Sequence, residues 1–170
     1  MQTHDPLRKT LHSLAPTCAA KDAGRFHALV QFIQSGDEVM KSLRGLLASE
    51  GLTAEGFQAL AALNPDAEAT ALADLVDRVD SPRALLSQTL SRLELSGLIS
   101  RQRGTEDRRA IWVRVTPEGR KAVQRAWALL YRGVLDLVDD FDDLTLREFN
   151  TRCTSMSRRA QKLRSLSAVT

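Results

Sequence analysis

A chain of 170 residues is long enough for one domain or two small fused modules, and at 43% hydrophobic it is too apolar to be disordered. Only 5% of its residues are aromatic, which argues against a sheet-rich sandwich and against a stacking surface for single strands. The net charge of +3 hides a sign split: residues 81–121 carry nine basic against four acidic side chains, and residues 136–148 carry six acidic against one basic. Such a split lets one face approach phosphate while another is repelled, which orients a molecule on a polyanion.

Residues 1–22 are polar, broken by Pro6 and Pro16, and read as a loose arm or a short helix. Phe26, Leu29, Val30, Ile33, Met40, Leu43 and Leu47 recur at three-to-four spacing and predict a helix over about 24–49, stopped by Gly51. Thr53 is placed to cap a second helix of about 54–63, with Phe57, Leu60 and Leu63 inward, and Asn64-Pro65-Asp66 breaks it. Two helices then follow in close succession. Thr70 opens the first, with Leu72, Leu75, Val76 and Val79 apolar; Asp80-Ser81-Pro82 makes the turn, Ser81 capping and Pro82 taking the first helical position. The second holds Leu86, Leu90 and Leu93 on one face and ends near Gly97.

After Gly97 the period changes from helical to alternating. Leu98 to Arg103 reads as a strand, Gly104 to Asp107 as its turn, and Ala110 to Val115 as a returning strand with Ile111, Val113 and Val115 on one face. Trp112 faces the other way, either packed under the hairpin or exposed beside a ligand, and the size of the indole favours packing. Thr116 caps a helix of about 117–141, with Pro117 at its first position, Gly119 allowing close backbone approach, and Val123, Trp127, Leu130, Val134 and Val138 or Phe141 along one face. A last helix, beginning after Leu144-Thr145, carries Phe149, Cys153, Met156, Ala160 and Leu163 at near-heptad spacing. The long helices carry more apolar stripe than a small head can cover, so a homodimer is expected.

This layout is mainly α with a small β-hairpin wing: a winged helix-turn-helix with long dimerisation helices. The expected division is an N-terminal arm and first dimerisation helix over 1–52, a DNA-binding domain over 53–116, and C-terminal dimerisation helices over 117–170. The major groove, about 12 Å wide, admits one helix whose outer face is small or hydrogen-bonding. Here Arg83, Ala84, Ser87 and Gln88 stand on that face; Gln pairs bidentately with adenine, and Arg with guanine or phosphate. Arg92 lies toward the helix end and suits phosphate, while Leu85 suits a thymine methyl or partial packing. Arg103, Arg108 and Arg109 bracket the hairpin tip, with Asp107 able to hold its shape, and guanidinium groups there can enter a narrow minor groove.

Leu93-Glu94 followed by Gly97-Leu98-Ile99 and Arg101, Asp107-Arg108-Arg109 on the wing, and Val115-Thr116-Pro117-Glu118-Gly119 opening the next helix stand in this order. On these residues the chain resembles the MarR family of winged-helix regulators over nearly its whole length; Val115 replaces the family's usual leucine. The resemblance implies a triangular homodimer whose recognition helices, here about 82–95, sit in successive major grooves of a pseudo-palindromic operator while the wings reach the flanking minor grooves. It also implies repression relieved by a small aromatic or anionic compound bound between the dimer and reading regions. On this sequence the matching wing residues are Asp107 and Arg109, with Arg108 beside them.

Residues for such an effector pocket are expected from the helices over 24–49, 54–63 and beyond Gly119: His27, Phe57, Trp127 and Tyr131, with Arg44 or Arg125 as anion partner. Some relatives of the family sense peroxides through a cysteine in the first helix. Cys18 lies before that helix and Tyr131 is the only tyrosine, so an incidental cysteine is the better reading, and Cys153 is expected as buried packing. No cofactor or metal is expected, because the three histidines sit in the first 27 residues and the two cysteines lie far apart. No nucleophile is assembled with an oriented base, which argues against an enzyme. The rival classes are a non-specific architectural DNA-binding protein and a winged helix given over to protein interaction. No apolar run approaches the roughly 20 residues that span a bilayer and no signal-peptide core opens the chain, so a cytoplasmic location is expected.

Overall fold

A computed structural model of the chain describes residues 10, 11, 13, 19–63, 69–79, 81–104 and 110–167, the last two without their side chains. Six helices and three strands follow in the order α1 (Ala20–Ser49), α2 (Ala54–Ala62), β1 (Thr70–Ala71), α3 (Leu72–Arg78), α4 (Arg83–Leu95), β2 (Ile99–Arg103), β3 (Ile111–Val115), α5 (Pro117–Asp136) and α6 (Asp143–Ser167). They form two compact units, one up to Tyr131 and one from Arg132 onward.

In the first unit, short-range chemistry sets most helix ends. α1 starts at Ala20, earlier than its apolar stripe, because Lys21 to Ala23 favour helix and Asp22 sits at the positive end of the dipole. It closes where Gly51 takes φ +71°: the Gly51 N–H donates to the Ala48 carbonyl at 3.0 Å and the Leu52 N–H to the Leu47 carbonyl at 3.0 Å. α4 closes identically at Gly97, φ +70°, with Gly97 N–H to Glu94 and Leu98 N–H to Leu93, each at 2.9 Å. Both are Schellman closures, which need a residue free of Cβ strain at the left-handed position. The Thr53 hydroxyl accepts from the Gly56 N–H at 3.0 Å, as expected of a cap.

Two further helix starts of this unit differ from the sequence expectation. Thr70 does not open α3. It lies in β1, buried, opposite Val113 of β3, so its backbone is committed to a long-range ladder and α3 begins at Leu72 without a side-chain cap. α4 starts one residue late, with Pro82 at the N-cap in place of Ser81 and Arg83 first in the helix; the Ser81 N–H instead donates to the Val79 carbonyl.

The sheet is antiparallel with β3 central, order β1-β3-β2, pairing Ile99 with Val115, Arg101 with Val113 and Arg103 with Ile111. Its inner face and four helices share one core built from Leu47, Leu60, Leu63, Leu75, Leu86, Leu90, Leu93, Ile99, Val113 and Val115, joined by Ala122 and Ala126 of α5. α5 therefore meets the core through small residues. Of its expected stripe, Val123 and Leu130 pack partly, whereas Trp127 is 60% exposed and Val134 is also exposed. Trp112, too, stands open at 41% exposure instead of packing under the hairpin, on a sheet face that it shares with exposed Gln102 and Arg114.

α5 ends at Asp136, short of the expected 141. Asp136, Asp139 and Asp140 would set carboxylates against the negative end of the helix dipole, and residues 137–140 turn instead. In the second unit, α6 starts at Asp143, ahead of Leu144-Thr145, because the Asp142 carboxylate accepts from the Thr145 N–H at 2.8 Å. Among its described side chains α6 buries none; Leu144, Leu146, Phe149 and Leu163 are exposed, and Cys153 is half-buried where full burial was expected. Phe141 and Phe149 meet edge to face at 5.8 Å.

Candidate nucleic-acid interface

α4 is two-sided. Leu86, Thr89, Leu90 and Leu93 are buried, while Arg83, Ala84, Ser87, Gln88 and Arg92 all stand exposed on the other side. The five positions chosen from the sequence thus share the exposed side of the helix. Gly56 of α2 lies under the helix, where a Cβ would come within 3.5 Å of Leu93 Cδ2. No acidic residue occupies the first turn of α4, so nothing within that turn offsets its positive dipole end beside Arg83. Leu85 is exposed near that end, and Leu95 stands 89% exposed at the other.

The wing follows directly. Arg103 is exposed at the far end of β2, and the Gly104 N–H donates to the Ala110 carbonyl at 2.8 Å across the hairpin. Asp107, Arg108 and Arg109 lie outside the described residues, as do Asp80 of the helix turn and Cys18. Arg101, two residues before Arg103 on the same side of the sheet, is bonded to α4. Its Nε donates to Glu94 Oε2 at 2.7 Å, its Nη2 donates to the same oxygen, and Nη2 reaches Ser91 Oγ at 3.2 Å. The bonded Arg101 guanidinium holds the Glu94 carboxyl below the usual carboxylate range. The Thr116 hydroxyl joins this head to α5: it donates to the Gly97 carbonyl at 2.7 Å and accepts from the Gly119 N–H at 3.0 Å.

A cleft of about 330 Å³ opens between α2 and the first half of α5, lined by Phe57, Leu60, Ala61, Val115, Arg120, Val123, Gln124 and Trp127. It brings Phe57 and Trp127 together. His27 is exposed on α1 and does not line it; Tyr131 lies beyond, its ring 6.4 Å from that of Trp127. Neither Arg44 nor Arg125, whose Nε donates to Glu50 at 2.6 Å, lines the cleft, whereas Arg120 does. Sequence reasoning passed over Arg120 and Gln124, although Arg120, Gln124 and Trp127 fall at i, i+4 and i+7 and so share one helix face. No cluster of three or more metal-ligating side chains is formed among the described residues, and no helix among them is long and apolar enough to cross a membrane.

Comparison with known proteins agrees with this geometry. A profile of the winged helix DNA-binding domain matches residues 56–134. Among solved structures, the YusO protein from Bacillus subtilis is 17% identical, aligned over 85% of this chain and 99% of its own, with a TM-score of 0.63. The MarR family transcription regulator SP03579 is 18% identical over 84% of this chain and 97% of its own, with a TM-score of 0.66. A single-residue mutant of S. aureus MepR, bound to an oligodeoxyribonucleotide, is 19% identical over 76% of this chain and 95% of its own, with a TM-score of 0.56. Curated protein sequences give no match. The chain has the fold of a MarR-family transcription regulator, with a winged helix DNA-binding domain matched over residues 56–134.

Proposed function

We propose that this chain is a sequence-specific, double-stranded-DNA-binding regulator that works as a cytoplasmic homodimer and catalyses no reaction. The observation that carries the reading is the two-sided α4: four buried side chains lock it to the core while Arg83, Ala84, Ser87, Gln88 and Arg92 face out together. A rigid helix with a hydrogen-bonding outer face is what the major groove accepts. Arg103, with Asp107, Arg108 and Arg109 beyond it, would serve the flanking minor groove. The same fold in MepR, seen with an oligodeoxyribonucleotide, supports this use. Large apolar side chains left exposed on α5 and on α6 support the dimer, and a two-fold dimer calls for inverted half-sites. The regulator is a repressor, and a small aromatic or anionic compound in the cleft beside Phe57, Arg120 and Trp127 releases it.

The test is an anisotropy titration against DNA from upstream of the chain's own gene, with shuffled DNA of equal composition at the same salt. The expected result is a preference of about a hundredfold or more for the native fragment, lost on Gln88→Ala. Equal affinity with a steep salt dependence would instead indicate architectural binding. No binding to either, by a folded protein, would indicate a protein-interaction module.

A further inference from the structure

Among the described residues, Arg101 is the basic side chain of the wing strands whose hydrogen bonds lead back to α4. Along β2, Ile99, Arg101 and Arg103 share the sheet side that faces Val115, Val113 and Ile111. Ile99 is buried, Arg103 is exposed, and Arg101 lies between them, half-buried, opposite fully buried Val113. A guanidinium in that position needs partners, and it finds them on one helix: two bonds go to Glu94 and one to Ser91. The Ser91 hydroxyl donates in turn to the Ser87 carbonyl at 3.0 Å. The relay therefore ends on the backbone of a residue that faces the groove.

This gives β2 two attachments to α4. The first is the closure at Gly97, which fixes where the strand begins. Pairing with β3 holds β2 in the sheet, and the closure holds its first end against α4. The second lies at Arg101, on the order of 10 Å further along at the usual rise per strand residue. The planar fork sets two N–H groups on one Glu94 oxygen and a further bond on Ser91, one turn back along α4, so the two points tie the direction of β2, and of the hairpin it forms with β3, to that helix. That direction sets where Arg103 stands relative to the outer face of α4.

We infer that Arg101 is a positioning residue that, through Glu94 and Ser91, fixes the angle between recognition helix and wing so that both engage one DNA site at once. The inference rests on the DNA-reading function proposed above. Its consequence is energetic coupling between wing and helix, which simple support of the fold would not produce.

The experiment is a double-mutant cycle of Arg101→Gln with Arg103→Ala, using the duplex that the native protein selects from a random-sequence library. Arg103→Ala is expected to weaken native binding about tenfold. In the Arg101→Gln background the same change is expected to cost about twofold or less, because a misdirected wing no longer makes that contact. Hydroxyl-radical protection at the flanking minor groove should fade in Arg101→Gln while protection at the central major grooves persists. An equal Arg103→Ala penalty in both backgrounds overturns the inference. If circular dichroism shows Arg101→Gln unfolded, the cycle is read in Arg101→Lys, which keeps the cation and loses the fork; a reduced penalty there supports the inference and an undiminished one overturns it. Failure of the native protein to select any duplex removes the DNA-reading function itself, and this inference with it.

Discussion

α4 and α6 are both amphipathic helices, yet they end in opposite circumstances. The 13 residues of α4 place Leu86, Leu90 and Leu93 in a core completed by α2, the sheet and α5. The 25 residues of α6 bury none of their described side chains. Its apolar positions, Leu146, Phe149, Cys153, Met156, Ala160 and Leu163, keep alternating three-and-four spacing, the seam of a helix that packs on another helix. An apolar stripe therefore says that a helix will be covered, and leaves open by what. Inside the reading head the cover comes from the same chain; for α6 the proposed homodimer would supply it, since apolar surface left in water forgoes about 25 cal/mol per Å².

The sharpest way to break this contrast is to truncate one leucine in each region. Leu90 is 0% exposed, so Leu90→Ala opens a cavity and is expected to cost about 2–5 kcal/mol, with DNA binding lost alongside. Denaturant unfolding followed by circular dichroism measures it. A loss below about 1 kcal/mol would mean that the core at α4 is not closed as described.

Next in size is Gly119→Ala at the junction of head and α5. A Cβ there would stand 2.1 Å from the Leu98 carbonyl oxygen and 2.9 Å from Val115 Cγ1. That carbonyl also accepts from the Thr116 N–H at 3.0 Å, so it cannot retreat without breaking a bond. The expected loss is about 1–3 kcal/mol. Gly45→Ala, within the last two turns of α1, where a Cβ meets nothing within 4 Å, is expected to have the opposite sign, a gain of about 0.5–1 kcal/mol. Equal responses at the two glycines would contradict the close approach at Gly119.

Leu163→Ala asks the same question of α6. Leu163 is 68% exposed, so its loss should leave the stability of the reading head unchanged and weaken self-association about tenfold, roughly 1.4 kcal/mol. Sedimentation over a concentration series reads this. An unchanged dimer, or no dimer in the native protein, would dissolve the contrast between the two regions.

What the sequence made legible divides by the range of the interactions involved. Gly51, Gly97, Thr53 and Thr116 end or begin helices through bonds that reach at most five residues along the chain, so their roles follow from residue type and position. The exposed set on α4 follows likewise from the leucine period. β1 was missed because its two residues are strand only by pairing with Val113 and Trp112, some forty positions away, and that pairing overrode the local capping preference of Thr70. The end of α5 was overrun because its apolar period continues past Asp136, while the carboxylates that stop it act through the helix dipole. Trp112 was expected to pack by its size, yet what covers a sheet face depends on neighbours that no strand pattern contains. Arg101 was legible only as part of a motif; its partners Glu94 and Ser91 lie seven and ten residues back, on a helix whose packing angle had first to be known.

The smallest effect expected is also the most selective, because it separates the Glu94–Arg101 tie from everything else that holds the head. The Glu94 carboxyl is held below its ordinary range chiefly by the hydrogen bond from Arg101, so the folded state favours the ionised form. A depressed folded value stabilises the protein above the unfolded value, near about 4.3, and that contribution disappears as pH falls through the folded value. Both side chains remain partly in water, 25% exposed for Arg101 and 38% for Glu94, so solvent screening limits the pair to about 1 kcal/mol or less at neutral pH. Glu94→Gln keeps the shape and removes the charge. Native protein should therefore exceed the variant in thermal midpoint at pH 7, and the gap should narrow as pH falls below the unfolded value and the native carboxyl takes up its proton. The Asp142 carboxyl, lowered by its bonds from Thr145, titrates the α6 cap in the same acid range but is present in both proteins and cancels in the difference. A gap that stays constant from pH 7 to pH 3 would show that Glu94 acts by packing alone, and the directional fork assigned to Arg101 would lose its charge-assisted half.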